Sequence, residues 1–381
     1  MSMPRLRQKG AVREKAIVKG LLARADIAVD GSRPWDIRVR DDRFYGRALF
    51  ERNLGIGESY MDDWVRCDRW DEFMARLLRS DLRKNLPLSW SEAAFVARSA
   101  VMNLGAKHRA FHVGEAHYDI GDDLYERMLD RSMTYTCAYW KDAADLEAAQ
   151  EAKLDLVCRK IGLEPGMRVL DIGCGWGSFA KFAASRYGAS VVGITVSKAQ
   201  LASANRSCMG LPAAFKLQDY RDVSGKFDRI VSLGMFEHVF HKNYRTFMET
   251  AHRVLKADGL FLLHTIGGNV SETSMDPWIH KYIFPNAMLP SIAQIGRSIE
   301  GLFVMEDWHN FGPDYDRTLM AWHANFSRHW PELAQAYGER FRRMWEYYLL
   351  TCAGSFRARA NNLWQIVLSK GGVPGGYASL R

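Results

Sequence analysis

Six cysteines are spread through the 381 residues without one Cys-x-x-Cys pair, so neither a zinc knuckle nor a disulfide framework is expected. Reduced thiols in a cytosolic setting are the simplest expectation. No stretch runs apolar long enough to span a bilayer, and the basic N-terminus MSMPRLRQKGAVREKAIVKGLL lacks the uninterrupted apolar core of a secretion signal. Internal repeats and low-complexity tracts are missing too, which excludes a solenoid. Acidic excess is absent: Lys and Arg total 52 against 44 Asp and Glu, a formal charge of +8 that favours anionic partners, either phospholipid head groups or nucleic acid. What the chain has in quantity is apolar bulk. At 48% hydrophobic and 12% aromatic residues it can bury the core of one catalytic domain and a smaller companion.

From Arg5 to about Leu22, Val12, Ile17, Leu21 and Leu22 recur among basic residues at roughly helical spacing. This short basic amphipathic segment reads either as an ordinary surface helix or as a membrane-contacting one. IAVDG and WDIRVR, around Asp30 and Gly31, predict a small hairpin, and helical patterns follow through DDWVRC and DEFMARLL to about Leu78. The boundaries expected are an accessory α+β domain at 1–82, a linker at 83–107 and a catalytic domain at 108–381. Beyond Glu147 the rhythm becomes strand, helix, strand. MRVLDI, SVVGIT, AAFKL, FDRIVSL and GLFLLHTI alternate with helical stretches, and FVMEDWHNF and LWQIVLSK add two strands as an antiparallel edge. That pattern predicts an α/β, doubly wound, seven-stranded Rossmann-like sheet.

The sharpest local signal is VLDIGCGWGSFA, Val169 to Ala180, where an apolar strand delivers Asp171 and then Gly173, Gly175 and Gly177 before a helix starts. Glycines are needed where the backbone turns tightly and approaches a ligand. A dinucleotide fold uses the same layout, but it usually places an acid at the end of the second strand; here GITVSKAQ has Thr195. Asp171 ahead of the glycines fits the DxGxGxG form of class I methyltransferases, which points to S-adenosylmethionine. Asp219 and Tyr220 in LQDY then follow the third strand, where an adenine would rest.

The chain resembles the cyclopropane-fatty-acyl-phospholipid synthases and, at greater distance, the mycolic acid cyclopropane synthases. The resemblance extends over HYDIGDDLYERMLDRSMTYTCAYW, GCGWG, GITVSKAQ, LQDYRDV, FDRIVSLGMFEHV, FLLHTIG, DPWIHKYIFPN, MEDWHNFGPDYDRTLMAW and YYLLTCAGSFRAR, most of the chain after His117. It implies a cofactor set of Tyr135, Thr136, Asp171, Gly173, Gly175, Thr195, Gln200, Asp219 and Tyr220. It implies a reaction centre of Cys137, Glu237, His264 and Tyr315, which with the Ile266 backbone surround a bicarbonate ion. It further implies unsaturated phospholipids as substrate, no nucleic acid, a homodimer, and a cytoplasmic protein held peripherally on the inner face of the membrane. Val196 departs mildly from the Leu common in GITLS.

The implied chemistry explains such residues. An alkene is a poor nucleophile and must be held against an electrophilic methyl; the resulting cation must lose a proton, away from water. Each residue also has a plainer explanation. Cys137 is readable as an ordinary buried thiol, His264 as a satisfied core histidine, and Tyr315 as a local cap. EHVFH, with Glu237, His238 and His241, lacks the HExxH arrangement of a zinc site, so no metal is expected. Three rivals stay open at this stage: an RNA or small-molecule methyltransferase, a relative that adds a methyl branch or hydroxylated carbon, and a cofactor-binding module without catalysis. Two basic segments, the N-terminal one and RFRRMWEYYLL with Arg340, Arg342 and Arg343, are candidates for lipid docking.

Overall fold

The computed structural model describes residues 3–80, 121–273 and 275–381, so the linker expected at 83–107 lies outside the described residues. The described chain falls into two compact units: 3–80 with 275–284 and 319–360, and 121–273 with 285–318 and 361–381.

In the first unit, helices Met3–Arg24, Arg43–Phe50, Asn53–Met61 and Trp70–Arg79 accompany two-residue strands β1 (Arg38–Val39) and β2 (Val65–Arg66), which pair antiparallel. Two local expectations are corrected here. No hairpin forms around Asp30: the buried Asp36 carboxylate takes the backbone N–H groups of Ala28 and Arg33, at 2.8 and 3.0 Å, and rolls the segment into a loop. DDWVRC is not helical. Its Asp63 adopts φ +61°, and the Trp64 carbonyl then accepts from the Arg40 N–H at 2.7 Å, placing Val65 and Arg66 as β2. The core of this unit is aromatic. Tyr347 packs tilted against Trp70 and Trp278, with ring centroids 5.5 and 4.5 Å away, and Gly57 is required because a Cβ there would lie 2.4 Å from the Trp278 indole.

The second unit carries the seven-stranded sheet: β3 (Arg168–Ile172), β4 (Ser190–Thr195), β5 (Ala213–Leu217), β6 (Phe227–Leu233), β7 (Leu255–Gly268), β8 (Val304–Asn310) and β9 (Asn361–Ser369). Their order is β5-β4-β3-β6-β7-β9-β8, parallel except for β9, which runs antiparallel to both neighbours. The inner strands are near-continuous apolar runs because helices cover both faces. Leu170, Ile172, Ile230, Phe261 and Trp364 pack on one face with the helix Tyr244–Val254. Val169, Val191, Val231, Leu262 and Val367 pack on the other with the helices Leu146–Lys160 and Ser178–Tyr187.

Period-two alternation puts Asp171, His264 and Gln365 on this second face. In register, Leu233 lies opposite His264, His264 opposite Gln365 and Gln365 opposite His309. A polar row thus crosses an otherwise apolar surface. Strand order reverses between β3 and β6, and the carboxyl edge there is where doubly wound sheets bind ligands.

Candidate active site

Three turns at that edge build one pocket. After β3, Gly173 and Gly175 take φ of +86° and +54°, and the N–H groups of Gly173 and Cys174 both donate to the Ile194 carbonyl at 3.0 Å. A Cβ on Gly173 would sit 2.6 Å from that of Met235. After β4, the Thr195 hydroxyl donates to Gln200 Oε1 at 2.9 Å, and Ser197 caps the helix Lys198–Ser207. After β5, Asp219 accepts from the Arg221 N–H at 2.9 Å. All nine residues of the expected cofactor set line this pocket: Tyr135, Thr136, Asp171, Gly173, Gly175, Thr195, Gln200, Asp219 and Tyr220. Asp171 Oδ1 and the Tyr220 hydroxyl are buried without a partner among the described residues. Burial raises the Asp171 carboxyl to about 7, against the pull of Lys153.

The loop carrying Tyr135, Thr136 and Cys137 is held from two sides. The buried Gln150 amide donates to the carbonyls of Thr134 and Thr136, and Lys153 Nζ donates to the Thr136 hydroxyl at 2.7 Å. On the other side Thr318 and Asp314, in the first turns of the helix Pro313–Arg357, accept from the N–H groups of Ala138 and Trp140 at 3.2 and 2.7 Å. Tyr315 is buried on the same turn. Cys137 is fully buried, and burial raises its thiol well above the ordinary range. It is a neutral thiol, a weak nucleophile.

Glu237 follows the end of β6, and His264 lies on β7 opposite Leu233, the last residue of β6. The Gly234 N–H donates to the His264 carbonyl at 2.9 Å, and Glu237 follows on the 3-10 turn Phe236–His238. Its Oε1 accepts from the Ile266 N–H at 2.7 Å, while Oε2 is buried without a partner among the described residues. The Ile266 amide is therefore engaged by Glu237. Burial raises the Glu237 carboxyl to about 7, the Ile266 amide working in the opposite direction.

His264 is held well below its ordinary range by burial and by the cations Lys153 and Lys160, so it is neutral. Gln365 Nε2 lies 3.4 Å from His264 Nδ1. With the amide donating, the imidazole hydrogen is on Nε2, a buried donor without a partner among the described residues. The Phe311 ring stands edge-on to His264 and to Tyr139, with centroids 6.0 and 5.3 Å away. Gln365 and Lys153 were not singled out by the motifs. A lone polar residue inside LWQIVLS was the available signal for the first.

The family description Mycolic acid cyclopropane synthetase matches residues 106–366. The chain belongs to this family. Within it, the cyclopropane-fatty-acyl-phospholipid synthase of Escherichia coli K12 is 56% identical over 355 residues, 93% of each chain. Cyclopropane mycolic acid synthase MmaA2 of Mycobacterium tuberculosis is 35% identical over 275 residues, 67% of this chain and 96% of its own. Among solved structures, mycolic acid cyclopropane synthase CmaA1 complexed with SAH and CTAB superposes with a TM-score of 0.64 at 35% identity, covering 68% of this chain and 98% of that one. The mycolic acid cyclopropane synthetase fold is the class I methyltransferase sheet, and this member of the family is an enzyme.

Proposed function

We propose that this enzyme transfers a methylene unit from S-adenosylmethionine to the cis double bond of an unsaturated phospholipid acyl chain, leaving a cyclopropane ring. The observation that carries this is the buried Glu237–Ile266 and His264–Gln365 arrangement beside the glycine-loop pocket. It offers two buried polar atoms, Glu237 Oε2 and His264 Nε2, without partners among the described residues, next to Leu233 and Gly234, which line the pocket. The 56% identity to a cyclopropane-fatty-acyl-phospholipid synthase supports the substrate class.

The pocket suits S-adenosylmethionine: a Cβ on Gly173 would collide with Met235, and Asp171 and Tyr220 keep buried polar atoms without partners among the described residues. When bound, S-adenosylmethionine supplies a methyl electrophilic enough for an alkene. The chain's own residues orient, dry and neutralise. Leu233, Met235 and Val239 line the end of the pocket that follows β6, where an acyl chain would meet them. Methyl transfer leaves a cation on that chain, which must lose a proton from the new methyl for the ring to close, and water reaching it would give an alcohol. A neutral Cys137 does not compete for the methyl, and the Glu237 carboxylate stabilises the cationic stage. Bicarbonate would supply a base here, with the His264 Nε2–H and the Tyr315 hydroxyl to hold it; the Glu237 carboxylate would orient that network, Cys137 would complete the surround and Ile266 would act through Glu237.

An RNA methyltransferase would need a basic cleft beside the cofactor. Lys153 and Arg221 are the Lys and Arg residues lining this pocket among the described residues, and its acyl end is aliphatic. Relatives that add a methyl branch share the first step and differ only in the fate of the cation.

Of the two basic segments, the helix Met3–Arg24 exposes Val12 and Ile17, whereas Arg340, Arg342 and Arg343 pair with Asp62, Glu346 and Asp63 inside their own unit. The N-terminal helix is the better docking element, on the cytoplasmic face of the membrane. Vesicle binding should rise with anionic lipid content and weaken in salt; binding indifferent to both removes the electrostatic part. Sedimentation tests the expected homodimer. The direct test of function is incubation of the purified protein with labelled S-adenosylmethionine and unsaturated phospholipid vesicles, followed by mass spectrometry of the fatty acid methyl esters. A product heavier by one CH2 and resistant to hydrogenation is expected; an O- or N-methylated product refutes it.

A further inference from the structure

Lys153 is fully buried in the helix Leu146–Lys160, yet it borders the glycine-loop pocket. Its ammonium makes one hydrogen bond, to the neutral Thr136 hydroxyl at 2.7 Å, and no carboxylate lies within 4 Å of it among the described residues. The other buried lysine of the same helix is unlike it: Lys160 has Asp307 at 3.6 Å and His309 at 3.0 Å. Asp130 and Asp171 attract Lys153 only from beyond salt-bridge distance, and burying a cation without a contacting anion is costly, so such a group calls for a counter-charge. Bordering the same pocket is the complementary anomaly, Asp171, whose buried Oδ1 has no partner among the described residues. Alternation along β3 turns Asp171 toward the face that this helix covers. One cation and one acceptor, each short of a partner on one pocket wall, match a ligand end that carries both a carboxylate and an ammonium.

Resting on the proposed methyl donor, we infer that Lys153 is the counter-ion for the carboxylate of its amino acid end, with Asp171 facing the ammonium. Thr136 sets the lysine's reach, and its methyl is fixed against Gly234, where a Cβ would lie 2.7 Å away. The loop that carries Cys137 is thereby tied to the cofactor's polar end. The same chemistry is offered by bicarbonate, a second carboxylate-like anion, and the experiment separates the two.

Calorimetry compares S-adenosylhomocysteine with its decarboxylated analogue, for the wild-type enzyme and Lys153→Met, with and without added bicarbonate. The variant should bind the carboxylated ligand about tenfold or more weaker, and the decarboxylated analogue nearly as well as wild type does. Retained binding of the analogue also shows that the variant is folded. In the wild type, preference for the carboxylated ligand should fall as pH rises through about 8, where burial places the lysine's titration. Equal loss of both ligands overturns the inference, as does a wild-type preference abolished by bicarbonate, which would make bicarbonate the anion held. A wild-type enzyme that binds neither ligand contradicts the proposed function itself.

Discussion

Glu237 spends one oxygen on the Ile266 amide and keeps the other buried without a partner among the described residues, and burial raises its titration to about 7. A carboxyl raised above its unfolded value of 4.5 binds its proton more tightly in the native state. Stability is therefore lost as pH climbs from about 4.5 to about 7 and stays reduced above. Glu237→Gln keeps the Ile266 bond and removes the titration. It should melt higher than wild type at pH 8, by an equivalent on the order of 3 kcal/mol, and near wild type at pH 4.5, while losing most activity; melting curves at both pH values check this. Gln365 acts through His264. Gln365→Leu should lower kcat on the order of 10- to 100-fold with S-adenosylhomocysteine affinity unchanged, because only the imidazole's orientation is lost. The candidates Cys137, Glu237, His264 and Tyr315 came from resemblance rather than from spacing, and the structure buries all four. Lys153 and Gln365 were missed because a polar residue on a buried sheet or helix face looks like a defect in an apolar pattern until its neighbour across the strand or layer is known.

At the scale of elements, positive-φ glycines fix the turns that aim these residues. Gly173→Ala must adopt a left-handed backbone and push its methyl against Met235, so a destabilisation of about 1–3 kcal/mol and loss of S-adenosylhomocysteine binding are expected from denaturant melts and calorimetry. Gly175, open on that side, should tolerate the added methyl sterically and show only the backbone penalty. The strands β4, β5 and β6 matched their sequence patterns because each is a short run rich in apolar residues bounded by turn residues, β4 and β6 inside the sheet and β5 at its more exposed edge. The N-terminal pieces did not. There Asp36 diverts the backbone donors a hairpin would use, and the left-handed Asp63 ends the helical pattern, both effects of single side chains or residues that periodicity does not register.

For the whole molecule, contiguity along the chain was a poor guide to the units, since 275–284 and 319–360 fold with the N-terminal residues. Asp71 shows how that unit is held: buried, hydrogen-bonded by Arg69 and by Arg357 from the distant segment, it is kept near 2 by those arginines despite its burial. The α/β sheet, by contrast, was readable because its strands and helices alternate in sequence as they do in space. The proposed function requires a site from which water is excluded and in which a proton leaves the newly transferred methyl. A donor with a fully deuterated methyl tests this most directly, by counting deuterium in the isolated acyl product. A ring that retains two deuterons is expected, the third having gone to the base. Retention of three deuterons, or an alcohol carrying oxygen from labelled water, would contradict it.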